Sequence, residues 1–312
     1  MQIGSHHEPI FEQAPSGLLL PIGSSTSLWK QGNSSYVHIK GRALDLGALI
    51  RANGLDVRRS QSISRFTREA SELSDAWLCN AMHTMTIQHL LATLQIDRVT
   101  QATTDLLVDE LSRVALAGLL TGNLDLLQRK PSKAKDTLWE IELHHMLTQH
   151  GISAELKEPD ILLSLTGPRL GIACKKLYSE ANVSKVVSNA IAQIERHAEF
   201  GIVALNIDDL LPPDSLLKAP STEVMSNILV EHIRGFLARH ERHLLGYLKP
   251  GRALAILVSC TTIADVETTP ARFLNARQSV AWKLPGLATA KEEQMTLFIA
   301  ALRSQYPNTA HR

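Results

Sequence analysis

Cysteine is too scarce and too scattered in this chain to build a disulfide framework or a structural zinc site. Cys79, Cys174 and Cys260 are the full set, with no Cys-x-x-Cys pair and an odd total. Cys79 and His83 stand four apart in a helical stretch, but two ligands leave a tetrahedral site open, so a buried thiol beside a helix histidine is expected there. There is no uninterrupted apolar run of about 18 residues, which excludes a membrane-spanning helix. From Met1 to Ile22 acids and histidines stand where a signal peptide needs a basic start and an apolar core, so a cytoplasmic location is expected. Net charge is missing as well. A formal +1 over 312 residues exerts no overall pull on a polyanion, and a nucleic-acid surface would have to come from local clusters of Lys and Arg. What is present, 44% hydrophobic and 20% charged residues, suits folded domains, and the length allows two.

Three regions follow from the patterning. Residues 1–35 are rich in Gly, Ser, Pro and Gln and read as a flexible arm, in which the pair His6-His7 could touch a metal or simply be solvated. Residues 36–129 read as a helical N-terminal domain. Its apolar positions are Leu44, Leu46, Leu49 and Ile50, then Ile63 to Ile96, then Leu106, Leu107, Leu111 and Val114, with breaks at Gly54, Asp97 and Gly122. Arg58, Arg59, Arg65 and Arg68 in this region suit either a phosphate or a solvated helix face. Gln128 to Lys135, with four bases and a proline, reads as an exposed linker into a second domain, residues 130–312.

In that second domain Asp136 is placed to cap a helix from Thr137 to His150, with Gly151 as its stop and Glu140 one turn from His144. A helix over Asn182 to Phe200 buries Val183, Val187, Ala190 and Ile194 and turns Gln193 to the other side. Gly201 to Ile207 reads as a buried central strand, and Asp208-Asp209 after it as turn or cap acids. A long helix is predicted from Thr222 to about Tyr247, a strand over Ala253 to Ser259, and a capping box at Thr289 with Glu292. The bases Arg234, Arg239 and Arg242 alternate with acids and suit a solvated face.

Between the two predicted helices lies Glu158 to Lys176, which reads as a hairpin. Apolar runs Ile161 to Leu165 and Leu170 to Cys174 flank Thr166-Gly167-Pro168-Arg169, and Gly-Pro is a strong turn signal. A turn centred between Gly167 and Pro168 sets Asp160 opposite Lys175. Alternation puts Ala173 and Lys175 on one face, Cys174 and Lys176 on the other.

Pro159-Asp160 followed by x-x-Lys at the end of the next strand resembles the core motif of the PD-(D/E)xK, or restriction-endonuclease-like, nuclease superfamily over roughly Asp136 to Asp209. The departure is Ala173, which stands where that motif has an acid. The resemblance implies an α/β fold: a restriction-endonuclease-like mixed β-sheet flanked by helices, behind the helical N-terminal domain. It further implies a Mg²⁺- or Mn²⁺-dependent nuclease cleaving phosphodiester bonds in DNA, in a prokaryotic defence or repair setting. Asp160 would be the first metal ligand, the Cys174 backbone carbonyl another, Lys175 the charge that orients water or neutralises the phosphate, and Gln193 a group near the scissile bond. Glu140 is favoured as the missing carboxylate; Glu142 and Glu158 are the alternatives. The other class left open is a nuclease-like module that has lost catalysis and binds nucleic acid or serves in assembly. The oligomeric state is open, a homodimer included.

Overall fold

Apolar residues spaced three and four apart fold residues 36–119 largely into helices, whereas the strands before and after them join a single sheet. The computed structural model describes residues 10–13, 19–22, 36–164, 169–212, 216–268, 273–284 and 289–303. Two short strands come first, β1 (Ile10–Gln13) and β2 (Leu19–Ile22), so part of the predicted arm joins the sheet; the rest of the arm, including His6-His7, lies outside the described residues. Then come α1 (Tyr36–Ala52), α2 (Gln61–Leu78), α3 (Ile87–Ala102) and α4 (Glu110–Leu119). Ser60 accepts the Ile63 N–H to cap α2, and Asp109 accepts the Ser112 N–H to cap α4. Gly54 and Gly122, at φ 72° and 95°, do break the chain. Asp97 does not: it lies buried inside α3, paired with Arg42. Cys79 is exposed rather than buried.

α5 (Lys133–Gln149) begins four residues before the predicted start, with Ser132 as its N-cap, and its first turn takes in Asp136. The expected linker is therefore partly buried. Lys135 is 2% exposed, and its ammonium donates to the carbonyls of Gln128 and Lys130. β3 (Ala154–Glu155), β4 (Ile161–Leu163) and β5 (Leu170–Lys176) form the antiparallel edge. α6 (Val183–His197) crosses over to β6 (Phe200–Asn206), parallel to β5. β7 (Leu217–Ala219), α7 (Thr222–Leu248) and β8 (Ala255–Val266) follow, with β8 parallel to β6. β9 (Phe273–Lys283) returns antiparallel, and α8 (Thr289–Arg303) closes the described chain. The strand order is β1-β2-β9-β8-β6-β5-β4-β3, with β7 pairing β8.

Because a central strand of such a sheet is covered on both sides, β5, β6 and β8 are apolar nearly throughout. One face, with Ala173, Val203, Leu205 and Val258, packs on α6 and α7. The other, with Ile172, Cys174, Ile202 and Leu257, packs on Trp139, Leu143 and Leu147 of α5 and on Met295 and Phe298 of α8. α5 has a second buried stripe, Ala134, Leu138 and Ile141, inside the core of α1 to α4. Each fully buried aliphatic contributes ~1.5–3 kcal/mol. With two stripes, α5 joins the helical layer to the sheet.

Candidate active site

The hairpin exists, but its register differs from the expected one. Ile161 pairs with Ile172, Leu162 with Gly171 and Leu163 with Leu170, so one step further Asp160 faces Ala173, two residues from the predicted partner Lys175. The shift by two preserves every face assignment, because side chains alternate with period two. The turn residues 165–168 lie outside the described ones. Gly171 helps to fix the entry to β4: a Cβ there would come 2.8 Å from Pro159 Cγ and from Ala198 Cβ, so Pro159 packs directly on the β5 backbone.

Three of the four predicted side chains meet at Asp160. Its Oδ2 accepts the Cys174 N–H at 2.7 Å and the Lys175 ammonium at 2.7 Å. Its Oδ1 accepts the Gln193 amide at 3.0 Å. That amide also donates to the Pro159 carbonyl and, at 3.0 Å, to Glu158. Cys174 is thus joined to the site through its N–H. Gln193 reaches the hairpin because the apolar stripe of α6 lies on the sheet and turns this residue toward the edge strand.

Glu140 approaches from α5, the other side of the sheet. Burial first, and the Asp160 carboxylate second, push its carboxyl up to about 7, while Lys133 and Lys175 pull the other way. Lys133 Nζ lies 3.8 Å from it. One turn earlier on the same helix, Asp136 accepts the Tyr178 hydroxyl at 2.8 Å, and burial raises its carboxyl too. Burial, then Asp160 and Glu140, likewise raise the Cys174 thiol well above its ordinary value. Asp136 and Tyr178 were not among the predicted site residues. Asp136 could have been found from its four-residue spacing to Glu140; nothing in the sequence points to Tyr178.

The two alternatives to Glu140 have other partners. Glu142 is buried against Arg98 and Arg277, the latter at 2.7 Å, and cannot face Asp160. Glu158 is exposed and holds Gln193. The Asp208-Asp209 pair is no turn decoration. Arg98 Nη2 lies 2.8 Å from Asp208 Oδ2, Lys176 Nζ 2.8 Å from Asp209 Oδ2, and Lys135 Nζ 3.4 Å from Asp209 Oδ1. Asp208 also accepts the Thr261 N–H at 2.6 Å. Burial raises Asp208 and Glu142, but the surrounding cations outweigh it and hold both below the usual carboxylate range. The basic face of α7, expected to be solvated, is paired in part, with Arg239 and His240 on Glu180 and Arg234 on Glu231.

Among the described residues no group of three or more His, Cys, Asp and Glu side chains is arranged to hold a metal ion, and no helix is long and apolar enough to cross a membrane. What Asp160 and Glu140 offer is a pair of hard carboxylate oxygens, the donor type that suits Mg²⁺ or Mn²⁺ with water completing the shell. Comparison of the chain with protein-family models, with curated proteins and with solved structures finds no match.

Proposed function

We propose that this chain is a divalent-metal-dependent phosphodiester hydrolase acting on DNA, with a restriction-endonuclease-like core formed by α5, β4, β5, α6 and β6. The observation that carries the reading is the convergence on the Asp160 carboxylate of Lys175 and Gln193, with Glu140 facing them from α5 and its carboxyl raised by Asp160. The inner acids Glu142, Asp208 and Asp209 each meet a base at 2.8 Å or less; here Lys175 pairs with Asp160, and Glu140 has Lys133 at 3.8 Å.

Asp160 and Glu140 would hold Mg²⁺ or Mn²⁺, which when bound polarises the phosphate and lowers the pKa of an attacking water. The chain's own groups do the rest. Lys175 places a positive charge where negative charge builds on the phosphate, and Gln193 fixes the Asp160 carboxylate through its Oδ1. Tyr178 holds Asp136 by a hydrogen bond and so restrains the first turn of α5, which carries Glu140 on the next.

A second reading is favoured by Ala173, which faces Asp160 yet is 0% exposed in the core under α6. A chain with an apolar residue at that position suits a catalytically silent module that binds nucleic acid or serves in assembly. Cleavage of plasmid, linear duplex and single-stranded DNA in Mg²⁺ and in Mn²⁺ separates the two. Wild type is expected to cleave, and Lys175→Ala and Asp160→Asn to lose roughly 10²–10³-fold with unchanged fold. DNA bound by wild type but never cut, in either metal, would establish the silent module.

A further inference from the structure

Two adjoining cavities, of ≈ 510 and ≈ 690 Å³, share Arg65, Asp125 and Gln128 and together make a cleft between α2 and the turn 122–128. On the helix side Gln61, Arg65 and Arg68 recur at four- and three-residue spacing, and Arg59 stands just before the helix. The turn side is held rigid by its own hydrogen bonds. Asn123 Oδ1 accepts from Ser62 Oγ and from the Asp125 N–H, Asn123 Nδ2 donates to Gln128, and the Leu126 N–H is taken by Gln95. A pre-formed cleft of this kind binds without ordering its wall first.

Its lining carries three arginines, Arg59, Arg65 and Arg68, against two acids, Glu69 and Asp125. Asp125 is matched by Arg65 at 3.0 Å, whereas partly buried Glu69 meets Arg68 at 3.8 Å and Arg65 at 3.9 Å and exposed Glu72, beside the cleft, meets Arg68 at 3.7 Å, longer pairs weak enough for a phosphate to replace. Arg59 is exposed and has no acidic partner within ion-pair distance among the described residues. The one aromatic side chain lining the cleft, Phe66, is 0% exposed, so no ring is offered to an unstacked base.

The cleft also leads to the candidate site. Gly122 at its rim lies against Ser132, where a Cβ would come 2.8 Å from Ser132 Oγ. Ser132 starts α5, exposed Lys133 follows, and two turns on, about 10 Å along the helix, stands Glu140, the residue Lys133 approaches. We propose that this cleft holds the phosphodiester backbone of duplex DNA flanking the bond at Asp160, through Arg59 and Arg68, without reading sequence. The direction of the strand toward Asp160 rests on the nuclease reading; the binding itself does not.

The test is fluorescence anisotropy of the full chain with a labelled 20-base-pair duplex and its single strand, in EDTA so that nothing is cut, across 50–200 mM salt. Arg59→Ala/Arg68→Ala is expected to bind the duplex about ten-fold or more weakly at 0.1 M salt. Its plot of log K against log salt should be shallower by about 2. Arg252→Ala should bind like wild type, since Arg252 lies at the opposite end of the parallel strands, just before β8. The double variant binding like wild type overturns the proposal, as do absence of duplex binding at 50 mM salt and a single strand bound more than ten-fold tighter than the duplex. Duplex bound through the two arginines by a wild type that never cleaves would sink the nuclease reading alone. Cleavage undiminished in the double variant would sink the cleft alone.

Discussion

Lys175 and Lys176 are neighbours on β5, and each ends on an aspartate, yet they belong to opposite kinds of site. Lys175 and Asp160 keep 24% and 15% of their side-chain surface in solvent, whereas Lys176 and Asp209 keep 3% and 2%. The outer pair leaves Glu140 without a cation closer than Lys133 at 3.8 Å. The inner pair belongs to a closed set in which Glu142, Asp208 and Asp209 face Arg98, Arg277, Lys135 and Lys176. Residue type alone therefore says little about which acids are chemically available. Strand alternation decides it, by sending one lysine toward the edge and the next under α3 and α5.

The sharpest way to break this contrast is Arg98→Ala. It would leave Glu142 and Asp208 buried with their charge less compensated, and a loss of about 3–5 kcal/mol is expected, measured as the urea midpoint at constant slope. Lys176→Ala should fall in the same class at somewhat less, since Asp209 would retain Lys135. Lys175→Ala, one residue away, is expected to shift stability by less than about 1 kcal/mol while removing cleavage. Equal destabilisation by the two lysine variants would dissolve the distinction between the sites.

Glu140 sharpens the contrast from the other side. An acid raised in the folded chain adds stability that is fully present below its unfolded pKa and is lost as pH rises through about 7. Wild type should thus weaken between pH 5 and 8, by no more than about 3 kcal/mol. Glu140→Gln should flatten that slope, and in wild type Mg²⁺ should raise Tm more at pH 8 than at pH 6. A Tm whose pH dependence is the same in both proteins would remove Glu140 from the site.

The smallest expected effect comes from the exposed arginine just before α2: Arg59→Ala should alter stability by less than about 0.5 kcal/mol. Calorimetry on that variant separates a surface role in binding from a part in the fold.

Much of the mixed α/β architecture was legible because helix periodicity and strand alternation are local signals. α6, β6 and α7 lie within a few residues of their expected places. Asp160 and Lys175 were legible as neighbours because a turn and strand alternation fix their directions, whereas Gln193 became a candidate only through the resemblance to the nuclease motif. The inner network was not. Arg98, Glu142, Asp208 and Arg277 are far apart in sequence, and each alone looks like a solvated or capping residue; only tertiary packing brings them together. Lys135 reads as exposed for the same reason, since a base four residues after a proline has no local feature that announces burial. β9 carries no alternation, as its polar residues Gln278 and Arg277 are buried with their own partners.

The two stripes of α5 bear on how a ribosome-bound chain could acquire its shape. Chains emerge N-terminus first, and α1 to α4 gain their shared core once Ala134, Leu138 and Ile141 have been made. At that moment Arg98 already has Glu142, a neutral couple available to an early intermediate. Asp208 and Arg277 arrive much later, again with opposite signs. Synthesis order thus offers Arg98 a carboxylate partner before any of the parallel strands has been made.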